Sequence, residues 1–363
     1  MAKRKSSNKI RFTAVLLILT GLVAYAVYMN RDTFMGGRQP AKEIFSFETE
    51  KHYRFEKLGK SIIALGNDGM TCVSSSGKTQ WNIERKMQNP CIETAQGNII
   101  IFDRNGKDIA LYSGENLIWE KKTEQPIITA KVNARGYTAV VTYEIGYKGM
   151  IEILNAKGEP VYLWRLGEDY VIDVDISPDC RYFAAATLNT EGEKLSSKIT
   201  VVDIDGERIA GETTREDSLI INLKYQPSGN IVALGEGELV GVSSRGAAKW
   251  AVSFEGRALT GFELPYGTDC VVVFEGSRNN SVVEVYSRDG AKTGEYVSES
   301  EITSMDVSQK YIAVAENKNI SLLNLKGRVL NKAVSQREVK DIILLPGKEI
   351  IAAEKNSVRK IDL

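Results

Sequence analysis

The sequence is poor in the side chains from which most metal centres and nucleophilic sites are built. Its 363 residues include one histidine, His52, and four cysteines, no two of which are adjacent. A single histidine excludes a multi-histidine metal site, although it leaves a serine triad open. We interpret His52 as a structural or exposed residue. The cysteines allow three pairings, but Cys72 and Cys270 lie in apolar strand patterns, where a thiol packs as a small apolar group, so free thiols are expected.

The chain also lacks a net charge. It has 47 lysines and arginines against 47 aspartates and glutamates, whereas a general nucleic-acid binder carries a basic excess. We therefore expect no nucleic-acid partner. The balance hides an asymmetry, because the first acidic residue is Asp32 and six basic residues precede it. The rest of the chain carries 41 positive and 47 negative charges, a net of −6.

Residues 12–30 contain no charged side chain and are mostly apolar. As a helix they would extend about 28 Å, close to the roughly 30 Å of a hydrocarbon core. Five basic residues precede the segment within residues 1–11, so the positive-inside rule predicts a basic cytoplasmic tail there. The pattern predicts a single-pass protein of the cell membrane, with a transmembrane helix at 12–30 and an extracytoplasmic C-terminal domain.

Two other interpretations of this segment stay open. Ala24-Tyr25-Ala26 fits a signal-peptidase motif, which would mean a signal peptide cleaved after Ala26. A buried core helix is the third interpretation, but such a helix should show a polar face. No cysteine lies near the apolar run, which argues against a lipoprotein anchor. Residues 31–42, with Gly36-Gly37 and Pro40, have no periodicity and predict a short linker.

Beyond residue 42 the sequence consists of short β-branched runs separated by turn residues, which is typical of strands. Residues 90–122 show the repeating unit of four runs, the second and third joined by Asn105-Gly106, a dipeptide that tolerates positive φ in a hairpin. Four strands repeated about every 40 residues predict an all-β fold, the β-propeller. The units begin near His52, Pro90, Ile127, Val171, Leu219, Ala258, Ile302 and Val339.

A glycine turn followed by a tryptophan recurs with the same period of about 40 residues. In four units a glycine turn precedes a tryptophan by four to six residues. The pattern places a large ring on the outermost strand of a blade, where it can pack between neighbouring blades. The pairs include every tryptophan of the chain and are Gly77 and Trp81, Gly114 and Trp119, Gly158 and Trp164, and Gly246 and Trp250.

The last unit has only three strands before the chain ends. Residues 43–49 alternate, have no unit of their own and can supply the fourth strand, which would close the ring and remove an exposed sheet edge. The propeller then comprises residues 43–363 and has eight blades, one of them shared between the two ends of the domain. Seven blades is the alternative, because the unit at 170–216 is long and irregular.

Three segments resemble known propeller repeats. Residues 73–81 (VSSSGKTQW) and 242–250 (VSSRGAAKW) look like pyrroloquinoline-quinone-type (PQQ-like) repeats, and residues 177–182 (SPDCRY) are similar to the S-P-D-G turn of WD40-like propellers, with Cys180 in the glycine position. Together with the anchor, they make the chain resemble an uncharacterised Firmicutes-type family of membrane-anchored propellers from Gram-positive bacteria. It is also similar to the eight-bladed outer-membrane assembly lipoprotein, without the lipid-attachment cysteine. A quinone-dependent dehydrogenase would add an adjacent cysteine pair, which this sequence lacks.

One carboxylate grouping is a weak candidate for a metal site. Asp173 and Asp175 lie on the same face of one strand, because strand side chains alternate, and Asp179 follows in the next turn. First strands of blades line the central channel, so these carboxylates could bind a cation there. The alternative is a solvated channel wall. We expect no catalytic residue and no cofactor.

The anchor, the ring and the scarcity of catalytic groupings favour a protein-interaction scaffold of the cell envelope. Its expected partners are the membrane, through one helix, and other envelope proteins. One alternative is a sensor module that binds a ligand or a cation in the channel. The other is a glycan-active enzyme at the channel mouth, for which a pair of carboxylates would suffice.

Overall fold

The structure is a computed structural model that describes residues 42–47, 53–191 and 194–363. These residues form eight four-stranded sheets. The predicted eight-bladed all-β propeller is therefore confirmed, and the seven-bladed alternative is wrong. None of the described residues belongs to a helix long and apolar enough to cross a membrane. The predicted transmembrane segment at 12–30, most of the linker at 31–42, and His52 lie outside the described residues.

Strands are numbered along the chain, and blades 1 to 4 each take four consecutive strands from β2 onward. Blade 1 contains β2 (Arg54–Leu58), β3 (Ser61–Gly66), β4 (Gly69–Ser74) and β5 (Thr79–Glu84). Blade 2 contains β6 (Pro90–Ala95), β7 (Asn98–Asp103), β8 (Asp108–Ser113) and β9 (Asn116–Lys122). Blade 3 contains β10 (Ile127–Val132), β11 (Thr138–Thr142), β12 (Gly149–Leu154) and β13 (Pro160–Leu166). Blade 4 contains β14 (Tyr170–Ile176), β15 (Tyr182–Asn189), β16 (Ser196–Asp203) and β17 (Arg208–Glu216).

Blades 5 to 7 continue the pattern, and blade 8 combines the two ends of the described chain. Blade 5 contains β18 (Ile220–Tyr225), β19 (Ile231–Gly235), β20 (Glu238–Val242) and β21 (Ala248–Ser253). Blade 6 contains β22 (Leu259–Glu263), β23 (Cys270–Glu275), β24 (Ser281–Tyr286) and β25 (Lys292–Val297). Blade 7 contains β26 (Ser304–Val307), β27 (Tyr311–Glu316), β28 (Asn319–Asn324) and β29 (Val329–Val334). Blade 8 contains β30 (Asp341–Leu345), β31 (Glu349–Ala353), β32 (Ser357–Ile361) and β1 (Lys42–Ser46).

The ring closes by pairing β1 with β32. The two strands run antiparallel, with Lys42 opposite Lys360 and Ser46 opposite Ser357. The side chain of Ile44 is buried in a cluster that joins blade 8 to blade 1. Because β1 covers the outer edge of β32, blade 8 has the same four strands as the others. The sequence places the completing strand at 43–49, of which residues 48 and 49 lie outside the described part.

Apolar residues concentrate in the second strand of each blade, because the neighbouring blades cover both faces of that strand. Every residue of β3, β11 and β19 is buried. The outermost strands instead alternate between exposed and half-buried positions, as in β5, β21 and β29. The buried clusters each combine residues of two adjacent blades, so the core is a set of inter-blade layers. This distribution explains why the sequence reads as short apolar runs with no helical period.

Two of the tryptophans that follow a glycine turn pack against a turn glycine of the next blade. A Cβ placed on Gly158, in blade 3, would lie 2.8 Å from the indole of Trp119 in blade 2. A Cβ on Gly290, in blade 6, would lie 2.6 Å from the indole of Trp250 in blade 5. Both glycines also have positive φ, of 79° and 81°, which L side chains rarely adopt. The expected packing of tryptophan between neighbouring blades is therefore present at these two boundaries.

First strands contact the first strands of neighbouring blades and so form the inner wall of the ring. They all run in one direction, and each ends in a turn to the second strand of its blade. We call the side of the ring that carries these eight turns the A–B face. The turns between second and third strands lie on the opposite face.

Candidate functional site

A central cavity of about 320 Å³ opens on the A–B face. First strands and the turns after them in seven blades line it, from Lys57 in blade 1 to Val307 in blade 7. A neighbouring depression of about 530 Å³ extends from it over blades 6, 7 and 8, and we call this depression the mouth groove. The two share Lys57, Pro265, Tyr266 and Val307. Pockets of this size can take a short peptide segment or a small molecule.

The walls of the mouth groove combine rings and prolines with lysine side chains. Pro265 and Tyr266 come from the turn in blade 6, Tyr311 from β27 and Pro346 from the turn in blade 8. Tyr266 remains 38% exposed, so part of its ring is open to a partner that enters the groove. The ammonium of Lys348 lies 4.9 Å from the centroid of the Tyr311 ring, a cation–π contact that holds both side chains at the edge of the groove.

The eight turns of the A–B face are rich in basic residues. Their five basic side chains are all exposed: Lys60, Arg135, Arg181, Lys310 and Lys348. The two acidic side chains are both engaged. Asp179 accepts hydrogen bonds from the Ser177 hydroxyl and the Arg181 backbone N–H, and Asp269 accepts one from Thr293. The face is therefore positive although residues 32–363 carry a net charge of −6.

The inner wall carries the opposite charge. Apart from the exposed Arg54, the eight first strands contain seven acidic and three basic residues. Each basic residue faces a carboxylate of another blade. The ammonium of Lys57 lies 2.6 Å from Asp306, that of Lys131 lies 2.7 Å from Glu93, and that of Lys224 lies 3.7 Å from Asp175. Burial, the largest single effect, lowers the pKa of Lys131, but the carboxylates of Glu93, Asp173 and Asp175 together outweigh it and the pKa is raised.

Two carboxylates of the described inner wall remain unpaired. Among the described residues, Glu56 and Glu263 have no hydrogen-bond or ion-pair partner. Burial raises the pKa of Glu56 to about 7, helped by the nearby Glu93 carboxylate. Burial also raises the pKa of Glu263 to about 8, helped by the nearby Asp306 carboxylate. A cationic group that reached these side chains would reduce their mutual repulsion.

Asp173 and Asp175 are buried within the wall. Their exposed fractions are 5% and 4%, so the interpretation as a solvated channel wall is wrong. Asp173 accepts a hydrogen bond of 2.9 Å from the backbone N–H of Leu223, and Asp175 accepts one of 2.9 Å from that of Tyr225. Both donors belong to β18 of the next blade, whose inner edge would otherwise have unpaired N–H groups. These carboxylates join blade 4 to blade 5.

Asp179 lies apart from this pair, in the turn between β14 and β15. Its carboxylate caps that turn, in which Cys180 has a φ of 66° at the glycine position of the S-P-D-G pattern. In the described part of the chain, no group of three or more histidine, cysteine, aspartate or glutamate side chains could hold a metal ion. The three aspartates thus serve one strand junction and one turn.

All four cysteines are free thiols. Cys72, Cys91 and Cys270 are buried in the sheets, and Cys180 is half-buried. Burial raises the pKa of Cys270 to about 12 and that of Cys72 to about 11, and a protonated, enclosed thiol is a weak nucleophile.

No local sequence pattern indicates the residues of the mouth groove. Tyr266, Lys310 and Lys348 lie in irregular turns, whose positions become comparable only when the eight blades are superimposed. An alignment of the eight A–B turns would show five basic and two acidic residues, a bias that the overall balance of charge hides. Glu56 and Glu263 carry no such signal, because their lack of a partner depends on the neighbouring blades.

Comparisons with known proteins agree with the fold. BamB from Moraxella catarrhalis is 15% identical with a TM-score of 0.54, over 89% of this chain and 100% of BamB. The C-terminal WD40 domain of Sif2 is 14% identical with a TM-score of 0.65, over 90% and 99% of the two chains. Sqt1 from Chaetomium thermophilum is 9% identical with a TM-score of 0.61, over 89% and 100%. At these identities the similarity establishes a BamB-like and WD40-like propeller fold.

The sequence itself matches no curated protein. A family model matches residues 40–363, nearly the whole of the chain beyond the predicted anchor. The match begins just before β1 and ends at the last residue, so it spans all eight blades. The chain belongs to the family of unknown function DUF5711.

Proposed function

We propose that this protein is a membrane-anchored scaffold of the cell envelope whose propeller binds protein partners on its A–B face. The observation that carries the proposal is the mouth groove, in which the exposed Tyr266 and the prolines Pro265 and Pro346 adjoin a central cavity. Exposed aromatic side chains beside concave apolar surface are typical of protein-binding sites.

Two further observations support this proposal. The apolar segment at 12–30, with five basic residues before it, would hold the ring at the outer surface of the membrane. Among the similar propellers, Sqt1 was solved bound to the N-terminus of the ribosomal protein L10, so a ring of this fold can take a polypeptide terminus. Here the groove provides a corresponding place for a segment of a partner.

A photocrosslinking amino acid at position 266 tests the docking face. In intact cells the Tyr266 variant should crosslink to one or a few envelope proteins. Tyr147 is the matched control, since it is also a tyrosine, is 48% exposed and lies in the turn between β11 and β12 on the opposite face. Equal crosslinking from both positions, or none from position 266, would refute docking on the A–B face.

Protease treatment tests the placement in the envelope. Protease added to protoplasts should degrade the propeller while leaving a short fragment that contains the residues before position 31. Permeabilised cells provide the control for access. Full protection of the propeller in intact protoplasts would contradict the extracytoplasmic location.

A second candidate function, a sensor of a cationic ligand, is favoured by Glu56 and Glu263. These carboxylates lie in the channel without a partner among the described residues and surrounded by other acidic groups. A bound cation would displace their protons, so binding should strengthen between pH 6 and pH 9 and release protons. Calorimetry with spermidine and with Ca²⁺, in two buffers of different ionisation enthalpy, measures this release. The double variant E56Q/E263Q should bind neither, and equal binding by this variant would exclude the sensor at this position.

A further inference from the structure

The charges around the mouth groove indicate which segment of a partner it binds. None of the groove-lining residues in the described structure is acidic, whereas Lys57 and Lys310 line it and Lys60 and Lys348 adjoin it in the same turns. The ammonium of Lys57 is already occupied, since it donates to Asp306 and to the carbonyl oxygen of Val307. The exposed cations of the groove therefore lie on its rim.

Lys60, Lys310 and Lys348 form this rim, one from each of the consecutive blades 1, 7 and 8. All three side chains are exposed, and no carboxylate is paired with any of them among the described residues. Lys60 also interacts electrostatically with the Glu349 carboxylate, so Lys310 and Lys348 dominate the positive charge of the rim. Exposed ammonium groups around a depression without acidic residues attract an anionic partner and orient it.

The floor of the groove favours apolar side chains, in addition to the charge preference of the rim. Pro265, Tyr266, Tyr311 and Pro346 present ring surfaces between the lysines, and such surfaces bind apolar or aromatic side chains by excluding water. The turns on either side are fixed to each other, because the Thr268 hydroxyl of blade 6 donates to the Gln309 carbonyl of blade 7 at 3.3 Å. A depression whose two walls are tied together is pre-organised for its ligand.

We propose that the mouth groove binds an extended acidic segment of a partner protein, in which an apolar or aromatic side chain is flanked by carboxylates. The apolar side chain lies against Tyr266 and Tyr311. The flanking carboxylates pair with Lys310 and Lys348 at one side and with Lys60 at the other. This assignment rests on the proposed function, since it names the chemistry of the partner that docks on the A–B face.

Peptide selection on the full-length protein in detergent micelles tests the assignment. A library of short random peptides is selected on the wild type and on the charge-reversal variant K310E/K348E. The matched control is K318E/K355E, which changes the same net charge in the same two blades but on the opposite face, where both lysines are exposed. The wild type and the control should enrich peptides with aromatic residues next to aspartate or glutamate, and the variant should not.

Binding of one selected peptide, measured by fluorescence anisotropy, gives the size of the effect. K310E/K348E should weaken it at least about tenfold, and K318E/K355E less than about twofold. Added salt should weaken binding to the wild type, and replacing the glutamates of the peptide by glutamine should do the same. Tyr266→Ala should also weaken binding, which separates the groove from a diffuse basic surface.

Three results would overturn the assignment. One is enrichment of neutral or basic peptides, and another is an equal loss for the two charge-reversal variants. The third is equally tight binding of polyphosphate or of vesicles containing phosphatidylglycerol, which would mean that the rim attracts any polyanion. The crosslinking experiment at Tyr266 distinguishes the two proposals. Crosslinks without an acidic preference would support docking on the A–B face and refute the acidic segment. Acidic peptide binding without crosslinks in cells would refute docking of an envelope protein on that face and retain the peptide preference of the groove.

Discussion

The ammonium of Lys57 in blade 1 donates a hydrogen bond of 2.6 Å to the carboxylate of Asp306 in blade 7, bypassing blade 8. The other oxygen of that carboxylate accepts a bond of 2.6 Å from the backbone N–H of Leu344 in blade 8. One side chain thus joins three blades at the point where the ring closes. Since Asp306 is buried, removing its partners leaves a charge without compensation.

Asp306→Ala leaves the Lys57 ammonium and the Leu344 N–H without their acceptor and should lower the free energy of unfolding by about 3 kcal/mol. Lys57→Met should lower it by about 1–2 kcal/mol, because the bond to Leu344 remains. Urea denaturation followed by tryptophan fluorescence measures both values. Lys60→Met is the control, since this lysine is exposed in the turn after β2 and its loss should change stability by less than about 0.5 kcal/mol. Equal stability of all three variants would contradict a role for Asp306 in closing the ring.

Gly158 should be sensitive to substitution because of the Trp119 ring packed against it. Gly158→Ala combines a positive φ with a Cβ 2.8 Å from the indole, so it should cost about 2–3 kcal/mol. Gly146 is the matched control, with a φ of 82° and no atom within 4 Å of an added Cβ, and Gly146→Ala should cost about 1 kcal/mol. Thermal unfolding gives the comparison. Equal losses at the two positions would mean that only the backbone conformation matters.

Removal of residues 357–363 should destabilise the whole ring, because β32 is the strand to which β1 pairs. Without it, β1 loses its partner and the outer edge of β31 is exposed. Differential scanning calorimetry should show a lower midpoint and reduced cooperativity for the truncated protein. A melting profile identical to that of the intact chain would show that the ring does not depend on the shared blade.

Stability should fall as the pH rises, because of Glu263. Its pKa is raised from an ordinary value near 4.5 to about 8 in the folded state by burial and by Asp306. A raised pKa means that the folded state holds a proton which the unfolded state releases. The resulting stabilisation is complete below about pH 4.5 and is lost as the pH passes through 8.

Glu263→Gln cannot ionise and should be as stable as the wild type at pH 5. At pH 9 it should be more stable by several kcal/mol, at most about 5 kcal/mol. Melting curves across this range measure the difference. Glu115→Gln, in the exposed turn between β8 and β9, controls for the loss of one negative charge. A wild-type protein that gains stability relative to Glu263→Gln above pH 7 would reverse the expected sign.

The sequence predicted the strands well, because local physics determines them. The Asn105-Gly106 turn is where it was expected, with Asn105 at a φ of 63°. The tryptophans of the outer strands could be assigned from their spacing alone, since every blade repeats the same packing. Repetition supplies eight comparisons within one chain, which compensates for the weak signal of any single strand.

Asp173 shows where such reasoning fails. The alternation of side chains along β14 places Asp173 on the same strand face as Asp175. Alternation gives no information about the strands that surround β14. Whether the carboxylate meets solvent, a cation or another strand depends on β18, which begins almost fifty residues later. The structure places the backbone N–H of Leu223 against it. No pattern within blade 4 contains that information.

By itself the sequence determined the repeat, the all-β class, the predicted anchor and the balance of charge, because these follow from short-range alternation, turn residues and composition. The tertiary structure alone decided which charges are neutralised. It paired Lys57 with Asp306 across the ring and left Glu56 and Glu263 without a partner among the described residues. It also gathered the exposed lysines of blades 1, 7 and 8 around one groove. Such pairings depend on distances between strands far apart in the chain, and electrostatic energy depends on those distances and on burial.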